Sequence, residues 1–223
     1  MRIFLATARL EEIRWAVEHG LADGVSTSPA MLADAAGTEG DARELLGEIC
    51  RHWTTMPICV SVGAIDGADV YRDGRELARL ADHVVVQVPM IEDSVGAMRQ
   101  LRAEGVRVGA MLVFNAAQAL LAAKAGATMV SIPVDQLDAH GLDGVGVVRD
   151  VHDVFRSDGT ECDLLATGVR DAARFAACAV AGADAVSVTP EVLRALFLHP
   201  LTDRGVDQFL NELARRPKAR LSS

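Results

Sequence analysis

Lysine is nearly absent from this chain: its 223 residues include two, Lys124 and Lys218. Lys124 falls near the end of an alanine-rich helical stretch and Lys218 near the carboxyl terminus. Neither position suits an amine that must attack a carbonyl inside a pocket of its own subunit, as Schiff-base chemistry requires. Aromatic residues are scarce too, at 4%, although half the residues are hydrophobic. The core must then be built from alanine, valine, leucine and isoleucine, which suits parallel strands packed by small-residue helices. Cys50, Cys59, Cys162 and Cys178 stand far apart with no CxxC pair. Reduced thiols, Cys59 and Cys162 in buried strands and Cys178 in an apolar helix, and a cytoplasmic location are the expectation. No segment has the ~18 consecutive apolar residues of a membrane helix. Met1-Arg2-Ile3-Phe4-Leu5 is a strand signal, shorter than the apolar region of a signal peptide. Positive charge is in deficit, with a formal net charge of −9. An acidic surface does not favour nucleic acid or an anionic membrane, which leaves small molecules and other proteins as partners.

What is present is an alternation. Short apolar runs predict strands at Ile3–Ala6, Asp23–Thr27, Pro57–Val62, Val84–Val88, Val106–Phe114, Thr128–Val134, Cys162–Ala166 and Ala185–Val188. Helical periodicity predicts helices at Leu10–His19, Asp41–His52, Asp66–Leu80, Ile91–Ala103, Ala116–Ala125, Val145–Phe155, Ala172–Ala181 and Pro190–Phe197. A polar loop is expected over Asp135–Asp143. An amphipathic terminal helix is expected over Leu201–Ala214, with Val206, Phe209, Leu210 and Leu213 on one stripe. Eight strand-helix units with short connections predict an α/β fold, a single (β/α)8 TIM barrel with an extra C-terminal helix. One domain is expected over 1–215, with a loose tail at 216–223. The phrases Ala122–Ala127 and Ala179–Asp184 resemble each other as a helix end, a glycine cap and the next strand, and carry no chemistry.

The most informative run is Asp82–Met90. Four valines, at 84, 85, 86 and 88, read as a strand buried on both faces, which Pro89 is expected to end. Gln87 then lies at the carboxyl end of a buried strand, where barrels place their sites. The other residues collected at those ends are Ala6, Thr7, Ser26, Thr27, Ser28, Ser61, Gly109, Met111, Asn115, Ser131, Pro133, Thr167, Gly168, Ser187 and Thr189. The inner members are neutral, and the charges Asp135, Asp138, His140 and Arg170 stand on the rim. Gln87 reads equally as a buried amide or as a ligand contact, and either needs partners. Arg170 reads as an anion contact at a helix start or as a surface pair with Asp135 or Asp171. Asp135 and His140 are the best acid–base candidates present. The spacing of Asp135, Asp138, His140 and Asp143 matches no recognised metal pattern, so no metal is expected, and Cys59 reads as core. Trp15 and Trp53 read as packing.

Leu112-Val113-Phe114-Asn115-Ala116-Ala117-Gln118-Ala119-Leu120-Leu121-Ala122-Ala123-Lys124-Ala125-Gly126-Ala127 resembles the small transaldolases and fructose-6-phosphate aldolases. So do Ile3-Phe4-Leu5, Asp23-Gly24-Val25, Val84-Val85-Val86 with Pro89-Met90, and His199-Pro200-Leu201-Thr202-Asp203. The resemblance covers almost the whole length and implies a class I aldolase barrel without a cofactor. Residue by residue it implies less. The family's Schiff-base lysine position is Gln87, its proton-handling aspartate Ala6, and the asparagine of its strand-two turn Ser28. Its strand-three acid or amide falls at Ser61, its water-holding threonine at Met111, and one phosphate-contacting arginine at Gln136. The strand-seven serine is Gly168, while a second phosphate-contacting arginine is kept as Arg170.

Three readings follow from the resemblance. The first is a pseudoenzyme related to carbohydrate metabolism that binds a small polar or phosphorylated metabolite, such as a sugar phosphate, through Arg170, Gln87, Ser28, Thr27 and Thr167. The second is an enzyme repurposed for lysine-independent aldol, isomerase, dehydratase or condensing chemistry. The third is a residual transaldolase. The resemblance also implies a homo-oligomer, a pentamer or a decamer, with the terminal helix packed on a neighbour.

Overall fold

The computed structural model describes residues 1–215. The expected loose tail at 216–223, with Lys218, lies outside the described residues. The chain runs β1 (Arg2–Ala6), α1 (Leu10–Glu18), β2 (Gly24–Thr27), α2 (Pro29–Ala36), α3 (Ala42–His52), β3 (Ile58–Ser61), α4 (Gly67–Ala78), β4 (Val84–Pro89) and α5 (Glu92–Ala103). It continues as β5 (Arg107–Met111), α6 (Ala116–Lys124), β6 (Met129–Pro133), α7 (Val134–Ala139), α8 (Gly144–Asp158), β7 (Asp163–Thr167), α9 (Ala172–Val180), β8 (Ala185–Val188), α10 (Pro190–Ala195) and α11 (Pro200–Arg215). The strands form a closed barrel in sequence order, every pair parallel, with β1 completing the ring against β8. This is the (β/α)8 barrel with an additional terminal helix.

The valine run of β4 shows why the strands read as continuous apolar stretches. Val84, Val86 and Val88 face the helix layer, and Val85 faces the barrel interior. Both faces are dry, so neither needs polar residues. The interior is filled by Phe4, Cys59, Val85, Met129, Leu165 and Ala185. At the amino end Arg2 and Asp163 pair at 2.7 Å. Helix starts are fixed by side-chain caps, including Asp41, Asp66, Asn115, Asp143 and Asp171, each accepting from a backbone N–H of the first turn. The two similar alanine-glycine phrases end α6 and α9, where Gly126 (φ 100°) and Gly182 (φ 96°) take left-handed turns.

Some expectations need correction. Pro89 is the last residue of β4 and not a stop before it, because pairing beyond it is carried by the N–H of Met90, which donates to the Met111 carbonyl at 2.9 Å. The fifth strand ends at Met111, short of Phe114, because Leu112 has φ 60° and breaks the extended path. The polar loop expected over Asp135–Asp143 instead begins in a six-residue helix, α7, which buries Val134 and Leu137 one turn apart. Cys162 lies just before β7 and is half-buried. Trp15 and Trp53 both pack on the core from half-buried positions. The terminal helix α11 buries none of its residues, and Val206, Phe209, Leu210 and Leu213 are all exposed. Among the described residues no helix is long and apolar enough to cross a membrane.

Candidate functional site

Register decides which residues share the interior. Ser26 aligns with Cys59, Ser61 with Gln87, and Gln87 with Gly109. Since Cys59 and Val85 belong to the inner cluster, alternation turns Ser61 and Gln87 inward one step nearer the carboxyl end. The same rule places Ala6 above Phe4, Ser131 above Met129, Thr167 above Leu165 and Ser187 above Ala185. A ring of hydroxyls, small groups and one amide therefore stands at the barrel mouth.

Gln87 is 5% exposed. Its Oε1 accepts from Ser131 Oγ at 3.2 Å, and its Nε2 donates to Met129 Sδ at 3.7 Å. Cys59 Sγ donates to the same thioether at 3.9 Å. A thioether is a weak acceptor, so the amide donor is only partly used. Gly109 makes the placement possible, because a Cβ there would collide with the Gln87 amide. Burial pushes the Cys59 thiol up to about 12, a shift that its hydrogen bond with Gln87 and the charge of Arg107 oppose. A thiol of that kind is no nucleophile at neutral pH.

At the rim, Thr167 Oγ1 donates to the Ile132 carbonyl at 3.3 Å. Met111 is half-buried with no polar side-chain atom to offer but sulfur. Ser28 is engaged as the cap of α2, accepting from the Met31 N–H at 3.3 Å. Thr27, expected to bind ligand, aligns with Val60 and is thereby turned to the helix layer. It is buried there, and its Oγ1 has no hydrogen-bond partner.

The charged rim sorts into pairs, one of which, Arg170 with Asp135, is among the sequence readings. Arg170 Nη2 donates to Asp135 Oδ2 at 2.6 Å, and Arg174 meets Asp138 at 2.9 Å. Arg170 therefore forms the surface pair with Asp135. Asp135 and His140 are not brought together: they stand at opposite ends of α7, and His140 Nδ1 contacts the Gln136 carbonyl at 2.8 Å. Gln136 is exposed. Among the described residues no group of three His, Cys, Asp or Glu side chains is placed to hold a metal ion. Lys124, the last residue of α6, lines an outer cleft with Arg99 and Leu121, away from the mouth.

The chain is a closed (β/α)8 barrel with a polar ring at its strand carboxyl ends, the face where barrels of this class place their sites. Similarity to known proteins narrows the class. The family described as transaldolase/fructose-6-phosphate aldolase matches residues 3–220. A probable transaldolase of Bdellovibrio bacteriovorus is 38% identical over 218 residues, covering 98% of this chain and 100% of that protein. One from Kosmotoga olearia is 40% identical over 212 residues, 95% of each chain. The carboxyl transferase domain of Rhizobium etli pyruvate carboxylase, solved with pyruvate, shares the fold with a TM-score of 0.64 at 15% identity. That likeness covers 85% of this chain, which spans 40% of the other structure. The chain belongs to the transaldolase/fructose-6-phosphate aldolase family.

Proposed function

We propose that this family member binds a small polar metabolite in its barrel mouth and forms no Schiff base there. The observation that carries the reading is Gln87. It is a buried amide held by Ser131 and Met129, on a strand where it faces the interior. An amide nitrogen is not nucleophilic and cannot condense with a carbonyl. Around it Ala6, Ser61, Ser131, Thr167 and Ser187 supply hydroxyls and a methyl group but no carboxylate, imidazole or amine. Such a set orients a carbonyl or hydroxyl by hydrogen bonding and does not move protons at neutral pH. The test is borohydride reduction after incubation with dihydroxyacetone or fructose 6-phosphate, read by intact mass. The expected mass is unchanged, whereas a reduced three-carbon or six-carbon adduct sinks the proposal.

We also propose that the apolar stripe of α11 is covered by a second copy of this chain, in a pentamer or a decamer. An amphipathic helix that packs on nothing is marginal in water, and α11 buries none of its residues within its own chain. Light scattering after gel filtration is expected to show a closed homo-oligomer, with dissociation in Leu210→Glu. A monomeric wild type refutes the arrangement.

A further inference from the structure

We propose that Asp135 makes the barrel mouth selective for uncharged polar ligands and excludes phosphate esters from it. The inference rests on the mouth being the binding site, as argued above, and it names the class of ligand. Arg170 is the arginine at the strand-seven rim, and its guanidinium is held by Asp135 at 2.6 Å. The two partners are unequal. The Asp135 side chain is 20% exposed and that of Arg170 is 76% exposed. Asp135 is the fixed member, and the arginine is an outer arm that folds down upon it.

What fixes Asp135 is Gly168. This glycine follows β7 with φ 70°, and a Cβ on it would overlap the Asp135 carboxylate. The missing side chain is the space the carboxylate occupies. A negative charge is thus seated at the junction of β6 and β7, beside the residues that rim the mouth. Arg170 compensates that charge, and the neighbouring cations are committed elsewhere: Arg174 is bound to Asp138 at 2.9 Å, and Arg9, just after β1, to Asp34 at 2.8 Å. The interior below is neutral, with Gln87 and Ser131 hydrogen-bonded to each other and hydroxyls at Ser61, Thr167 and Ser187.

A phosphate ester brings about −1.5 to −2 charge at pH 7. At this mouth the cation it would meet, Arg170, is already neutralised by Asp135. To recruit Arg170 it must first break the pair with Asp135 and leave that carboxylate uncompensated. A neutral polyol or ketone has no such penalty and matches the hydroxyl and amide groups present. Asp135 is therefore a specificity-determining residue that acts through charge.

Calorimetric titration at low salt and pH 7 with inorganic phosphate and with fructose 6-phosphate tests this. Wild type is expected to give no saturable binding of either. Asp135→Asn keeps the shape seated against Gly168, removes the charge and frees Arg170. It is expected to bind phosphate saturably, at least about tenfold more tightly than the weakest affinity the titration resolves, and adding Arg170→Ala is expected to abolish the gain. A folded Asp135→Asn without the gain overturns the proposal. So does saturable phosphate-ester binding by wild type that Arg170→Ala removes. If Asp135→Asn fails to fold, the comparison of wild type with Arg170→Ala decides alone: binding lost on substitution overturns the proposal, and no binding in either supports it. The readout is non-covalent, so its failure is distinct from the appearance of a borohydride-stable adduct.

Discussion

Gln87→Lys is expected to weaken the fold by several kcal/mol at pH 7 and still not cleave fructose 6-phosphate. Position 87 is buried, and its neighbours are the sulfurs of Met129 and Cys59, the hydroxyl of Ser131 and the Cα of Gly109. No carboxylate shares this ring. A lysine placed there loses hydration without gaining a counter-charge, so its pKa falls below the usual ~10.4. Each unit of fall costs about 1.4 kcal/mol at pH 7, and a fall of two to three units costs about 3–4 kcal/mol. The sign of the pH dependence follows. Between the lowered folded pKa and ~10.4 the unfolded chain holds the extra proton, so the stability of the variant rises with pH across that window. Urea unfolding at pH 7 and pH 10 should show the gap to wild type closing. Turnover needs more than an amine, and Ala6 offers no carboxyl and Met111 no hydroxyl with which to handle protons or water. Substantial aldol cleavage by this single variant would contradict the account of the pocket.

The second large effect is expected at Gly24→Ala. A Cβ on Gly24 would lie 2.5 Å from Cε1 of Phe4, closer than any relaxed carbon contact. Phe4 is 0% exposed and is enclosed by Cys59, Val85, Met129, Leu165 and Ala185, so the ring has nowhere to retreat. Overpacking of this kind costs ~1–3 kcal/mol, and the rigid surroundings place it at the upper end. For a chain of this length that lowers the melting temperature by about 6–12 °C. Phe4→Leu removes the atoms that collide. In that background Gly24→Ala is expected to cost less than about 1 kcal/mol, a coupling measurable by a double-mutant cycle. Equal costs in both backgrounds would mean that the ring is not what Gly24 accommodates.

The architecture was legible because each unit announces itself twice, by an apolar run and by a glycine or capping residue that bounds its helix. The inward placement of Gln87 came with the family resemblance and not with the pattern, since valines stand on both faces of β4. The side on which Thr27 stands was not, since strand two is four residues long and its phase depends on register with Val60. Helix α7 was missed because a six-residue polar segment with only Val134 and Leu137 to bury carries little periodicity. The pair Arg170–Asp135 spans 35 positions, and its support is an atom that Gly168 lacks. The sequence left this pair open beside Asp171 and an anion contact, because neither distance in sequence nor an absent side chain leaves a local pattern that selects among them.

Arg194 on α10 lies 3.6 Å above the ring of Trp15 on α1. This contact sits outside the place where β8 meets β1, and together the two form a clasp between the first and last units. Without β8 the remaining strands could pair only as an open sheet. A nascent chain that has not yet produced residues 185–194 carries two unpaired strand edges, on β1 and β7, lined by some of the most apolar residues in the protein. The barrel is thus completed by an event that joins sequence positions about as far apart as a single unit of folding allows. Trp15, one of the chain's two tryptophans, stands where its fluorescence reports that event.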